Sequence, residues 1–161
     1  SMDHLLRNAL RDACHLCNGH LAEEEGGLIM ESPTHSFTFL KLRNVNTGTP
    51  MAEALYMVDP EEYADKAINM MLQGWKRHGT FHTHPENCMP YPSGLDLRAL
   101  FTTSPINYIY SPCMDLLICY TFNNQLHVWE AQQINLSSAV LPLPVPVASV
   151  DSSPQVFMTM V

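Results

Sequence analysis

The sequence predicts an α+β domain in which a mixed β-sheet is flanked by helices. Two stretches place apolar residues at three- and four-residue steps, short runs rich in β-branched and aromatic residues lie between and after them, and turn residues separate the runs. At 161 residues the chain has the length of one domain. A chain of that size buries roughly 70% of its unfolded surface, enough for a hydrophobic core.

The first helix spans His4 to Asn18, where Leu6, Ala9, Leu10, Ala13, Leu16 and Cys17 form the apolar stripe and Gly19 closes it. Leu21 to Met30 and Ser36 to Asn44 read as strands, the second setting Phe37, Phe39 and Lys41 against Thr38, Leu40 and Leu42. A loop over 44–50 comes next. In the second helix Asp59 caps, Pro60 fits the first helical position, and Glu62 completes a capping box. Its stripe is Ala64, Ala67, Ile68, Met71, Leu72 and Trp75, and it ends before Gly79. A strand carrying His82 and His84 succeeds it, then a proline-rich loop from Pro85 to Pro92 and a helix from Ser93 to about Thr102. Strands at Ile106–Tyr110 and Leu116–Phe122 lead to a turn at Asn123–Asn124 and a last strand, Gln125–Glu130.

Residues 3–136 form the predicted domain. Beyond them, 137–161 contain alternating prolines that forbid a helix and favour an extended, polyproline-like run packed on or beside the domain. Eight Lys plus Arg against sixteen Asp plus Glu give a formal charge of −8, which argues against a nucleic-acid partner, and no basic patch relieves it. No apolar run is long enough to span a membrane and no signal-peptide pattern is present. Five cysteines, an odd number, fit a disulfide scaffold poorly and point to a reducing, cytoplasmic setting.

The chemistry concentrates in "HGTFHTHPENCMPYPSGLD", His78 to Asp96. Along a strand alternate side chains share a face, so His82 and His84 converge while Phe81 and Thr83 point the other way. With Asp96 they make three protein ligands, which leave a tetrahedral zinc one open position; water held there drops from a pKa of 15.7 toward about 7. Two plainer readings stand beside this one: the histidines are ordinary core residues, and "SGLD" is only a capping box closed by Ser93 and Asp96. Hydrolysis also needs a carboxylate to take the proton, and "AEEEGGLI" offers Glu23, Glu24 and Glu25, which would otherwise be a solvated charge run.

Taken together, "EEGGLI" at 24–29, "RNVN" at 43–46, "VDPEEY" at 58–63, "HGTFHTHP" and "PSGLD" resemble the JAMM/MPN zinc metalloproteases in their short prokaryotic JAB form. The resemblance covers about Leu21 to Tyr120. It implies a JAB1/MPN, cytidine-deaminase-like architecture and one zinc per chain held by His82, His84 and Asp96. The pattern E-x-x-G-x-[LI] puts the family's general base on Glu24, with Glu23 and Glu25 as fallbacks. Ser93 resembles the serine that steadies the oxyanion. The implied substrate is an isopeptide or peptide bond after the C-terminal tail of a ubiquitin-like protein, bound extended. The loop from the second His to the Ser holds eight residues where the family usually has seven, a difference that falls on the substrate rim.

Two alternatives stand beside this function: a non-catalytic MPN-like scaffold that binds a partner, and a phage or cell-wall peptidase of the same fold. Scaffolds typically lack the metal ligands, which this chain has. Cys14, Cys17 and His20 spell C-x-x-C-x-x-H, but Cys17 lies on the apolar stripe and no fourth ligand is near. Cys88 sits in the proline-rich loop beside the expected site, and Cys113 and Cys119 read as packing residues.

Overall fold

The computed structural model describes residues 2–18, 23–45, 58–84, 89–137 and 156–160, the last of these as backbone. Within these residues seven strands form one open mixed sheet in the order β2-β1-β3-β4-β5-β6-β7. They are β1 (Gly26–Glu31), β2 (Phe37–Leu42), β3 (Lys76–Thr83), β4 (Ile106–Ser111), β5 (Leu116–Asn123), β6 (Val128–Ile134) and β7 (Val156–Met160). Most pairs are antiparallel, while β3 runs parallel to β4 and β6 parallel to β7. Among the described residues five α-helices accompany them: α1 (His4–Leu16), α2 (Pro60–Tyr63), α3 (Asn69–Leu72), α4 (Gly94–Arg98) and α5 (Leu100–Thr103). This is the α+β class that the sequence predicts. None of the described helices is long and apolar enough to cross a membrane.

Strand alternation explains the layering. Ile29, Phe81, Tyr108, Tyr110, Leu117 and Cys119 face α1, where they meet Leu6, Leu10, Ala13, Cys14 and Cys17. The intervening residues face the opposite way. Leu28, Met30 and Leu42 pack under the α2–α3 segment, and Ile109, Ile118, Tyr120 and Ala131 surround Phe101 of α5. Each fully buried side chain of this size contributes roughly 1.5–3 kcal/mol. His82 pairs in register with Gly26 on one side and Ile109 on the other, so it shares the face that carries α2 to α5.

The glycines of β1 have a packing reason. A Cβ on Gly26 would collide with the carbonyl of Phe81, and one on Gly27 with the carbonyl of Leu40. The backbone of β1 therefore sits close to both neighbours, and the strand begins at Gly26 rather than near residue 21; residues 21–22 lie outside the described region.

Several expected boundaries and faces are corrected. In α1 Cys14 is buried in place of Leu16, which is 52% exposed. The second helix is not one α-helix: a π-helical turn, Ala64–Ile68, joins α2 to α3. Each π-turn holds an extra residue, so the 3.6-residue stripe loses phase there. Ala67, Tyr63, Met70, Met71 and Trp75 face the sheet, while Ala64, Ile68 and Leu72 point outward. Asp59 caps through the N–H of Glu61, but Glu62 does not close the box; its oxygens accept from the N–H of Arg43 at 2.6 Å and from Lys66 Nζ at 3.2 Å. Gly74, at φ +94°, turns the chain into β3 before Gly79 is reached.

The helix expected over 93–102 breaks at Ala99, whose backbone leaves helical geometry. The last hairpin is also looser than a two-residue turn. Asn123 Oδ1 accepts from the N–H groups of Gln125 and Leu126, both at 3.0 Å, and His127 takes φ 55°, so β6 starts at Val128 and not at Gln125. Strand β7 holds the strand formers Val156, Phe157 and Thr159 but falls within the 137–161 run expected only to lie extended on or beside the domain, and it pairs with β6; most of that segment, 138–155, lies outside the described residues, as do Gly19 and most of the 44–50 loop.

Candidate metal centre

Strand β3 lies between β1 and β4, which leaves the imidazole of His82 fully buried. His84 comes one residue after β3, and its N–H donates to Tyr110 O at 2.9 Å, prolonging the ladder with β4. The same-face spacing therefore holds through His84, and the two rings stand 5.2 Å apart between centroids.

Asp96 reaches them from the first turn of α4. Ser93 Oγ accepts from the N–H of Asp96 and Asp96 Oδ2 accepts from the N–H of Ser93, each at 3.0 Å, so the capping box is real. The same carboxylate faces both imidazoles, Oδ1 at 3.2 Å from His82 Nε2 and Oδ2 at 3.1 Å from His84 Nε2. Capping and metal-facing geometry thus coexist, because the box holds the carboxylate rigid where the strand ends. Ser93 accepts through one lone pair and keeps an O–H able to donate.

Glu24 enters from the residues leading into β1. It is 2% exposed, and its Oε1 lies 3.6 Å from His82 Nε2 with no hydrogen-bond partner among the described residues. One ligand atom from each of Glu24, His82, His84 and Asp96 falls within 4.8 Å of all the others. Glu25 points elsewhere: its Oε1 accepts from Lys41 Nζ at 2.9 Å. Among the three adjacent glutamates the structure brings Glu24 to the imidazoles.

The electrostatics of the cluster suit a cation. Burial, with the nearby charge of Asp96, pushes the Glu24 carboxyl up to about 9. Burial would raise Asp96 as well, but the facing His82 and hydrogen bonds from both imidazoles and the Ser93 N–H hold it well below the usual carboxylate range. Two buried carboxyls aimed at two imidazoles are costly to keep without a positive charge between them. The donor set also fits a divalent ion, two imidazole nitrogens and carboxylate oxygen being common ligands of zinc. These four residues could hold a metal ion.

One supporting group escapes residue-type reasoning because it is backbone. Met89 O lies 2.7 Å from His84 Nδ1 and accepts its proton, so Nε2, the nitrogen turned toward Asp96, is the one that could ligate a metal. The loop that provides this carbonyl is itself held, since buried Tyr120 donates to Pro90 O at 2.7 Å. Nothing in the sequence pairs Tyr120 with that loop.

The other candidates separate from the site. Cys14 and Cys17 are buried in the α1 core; burial pushes the Cys14 thiol far up and the Cys17 thiol up to about 12, the reverse of a reactive or ligating thiol. His20 and Cys88 lie outside the described residues. Cys119 is buried as expected, whereas Cys113 is exposed in the β4–β5 turn and is not a packing residue.

Comparison with family models and with curated proteins gives no match. Among solved structures, the fold is similar to the solution structure of protein DSY2949 from Desulfitobacterium hafniense, a structural-genomics target. The TM-score is 0.55 at 22% identity, covering 73% of this chain and 82% of that one. At that identity the likeness speaks to the fold alone.

Proposed function

We propose that this protein is a zinc-dependent metallopeptidase of JAMM/MPN type, with the JAB1/MPN architecture. It hydrolyses an isopeptide or peptide bond after the tail of a ubiquitin-like protein. The observation that carries the reading is the convergence of Glu24, His82, His84 and Asp96, brought from three segments of the chain and buried together, in the chain order of the family the motifs resemble.

His82, His84 and Asp96 would hold the metal, and zinc bound there supplies Lewis acidity and an acidified water. Glu24 does not need to ligate. From Oε1 it accepts the proton of the attacking water and returns it to the leaving amine, a role that usually contributes roughly 10²- to 10⁴-fold. A dication beside Glu24 also favours its ionised form, offsetting the burial that raises its pKa in the metal-free protein. Ser93, fixed by its cap, offers its O–H to the oxyanion of the substrate carbonyl. Cys14, Cys17, Cys113 and Cys119 are free thiols, which supports a reducing, cytoplasmic setting.

The test is cleavage of a panel of ubiquitin-like conjugates with and without a chelator. Hydrolysis of at least one conjugate, abolished by the chelator and restored by zinc, is the expected result. Zinc-loaded protein inert toward the whole panel would overturn the substrate assignment in favour of a partner-binding scaffold or a cell-wall peptidase.

A further inference from the structure

The peptide group between Glu24 and Glu25 is held at both of its polar atoms by side chains. Its carbonyl, Glu24 O, accepts from Asn44 Nδ2 at 2.9 Å. Its N–H, Glu25 N, donates to Thr83 Oγ1 at 3.0 Å. The backbone N–H of Thr83 donates in turn to Glu25 O at 2.8 Å, so the residue between the two histidines is joined to the Glu24 segment by both side chain and main chain. Asn44 and Thr83 are buried, at 5% and 1% exposure. Glu24 precedes β1, and among the described residues these contacts tie its backbone to Asn44 and to the strand that carries the histidines.

From this geometry we infer that Thr83 and Asn44 are positioning residues for Glu24, clamping one peptide plane so that the carboxyl stays beside His82. The inference rests on the hydrolase reading of the site. It gives the middle residue of His82-Thr83-His84 a role: the strand that presents the imidazoles also sets the register of the base, from its opposite face. A side chain there needs an acceptor oxygen on Cβ. Valine has the same shape and leaves the Glu25 N–H without its partner. A shift of Glu24 of about 1 Å would lower turnover by as much as roughly 10²-fold without touching the metal ligands.

The experiment uses the zinc-loaded full chain and a ubiquitin-like protein carrying a fluorophore amide-linked at its C-terminus. In Thr83→Val and Asn44→Ala the expected kcat falls by roughly 10- to 100-fold, while KM and zinc content stay within about twofold. Thr83→Ser restores most of the loss. In a Glu24→Gln background Thr83→Val has no further effect, because the only group it positions is gone. Wild-type turnover in both single variants overturns the inference, and so does an equal further fall in the Glu24→Gln background. If the wild type itself leaves the probe intact, the hydrolase reading fails separately. Amide exchange then decides the clamp: Glu25 N–H must exchange faster in Thr83→Val than in wild type at equal zinc content, and unchanged protection overturns it.

Discussion

In the proposed hydrolase most of the chemistry turns on Glu24, and its surroundings make two predictions. Glu24→Gln keeps size and hydrogen-bonding shape but cannot take a proton. The variant is expected to fold and to hold zinc, with hydrolysis slower by roughly 10²–10⁴-fold in steady-state assays. Glu25→Gln should cost far less, since Glu25 is engaged with Lys41 and not with the imidazoles. The second prediction concerns chelator-stripped protein. With its pKa raised to about 9 by burial, folded Glu24 keeps its proton at neutral pH, whereas the unfolded chain, near 4.5, has lost it. The folded state therefore binds more protons across that window, and stability falls as pH rises. Urea unfolding of the metal-free protein at about pH 7 and about pH 8.5 should show this loss, at most about 1.4 kcal/mol per pH unit. Glu24→Gln should flatten it, and a wild-type slope of opposite sign would count against the burial argument. The choice of Glu24 over Glu23 and Glu25 was legible only through the glycine register, while Met89 O and Tyr120 were not legible, because one is backbone and the other is distant in sequence.

Among the elements, the π-turn shows where periodicity stops being informative. A uniform 3.6-residue repeat puts Ile68 and Leu72 in the core, and the extra residue at Ala64–Ile68 turns both outward, 43% and 82% exposed. Leu72→Glu should therefore change stability by no more than about 0.5 kcal/mol. Ala67→Glu, which forces a charge under the helix against Leu28 and Met30, should destabilise by several times that amount in the same urea titration. Equal costs at the two positions would restore the uninterrupted helix. Strand β3 was legible through its alternation, imidazoles on one face and Phe81 on the other. The β5–β6 hairpin was less so, since Asn123 binds two backbone N–H groups and lengthens the turn in a way that an Asn-Asn pair does not announce.

At the scale of the whole molecule, the sheet order brings distant segments together at one end of the face that carries α2 to α5. Gly26, His82 and Ile109 pair across β1, β3 and β4, so Glu24 before β1 and Asp96 in α4 meet the histidines over the sheet. The α+β class was legible in helix and strand periods, and the candidate ligands in strand alternation and the Ser93–Asp96 spacing. The pairing of β7 was not, because Val156, Phe157 and Thr159 favour a strand but the partner, β6, is set by the tertiary path. The claim on which the rest depends is that this convergence binds a metal through His82, His84 and Asp96. Elemental analysis of purified protein tests it most directly: about one zinc per chain in the wild type and close to none in His84→Ala, because two remaining ligands cannot retain the ion. Equal zinc in the two proteins would contradict it.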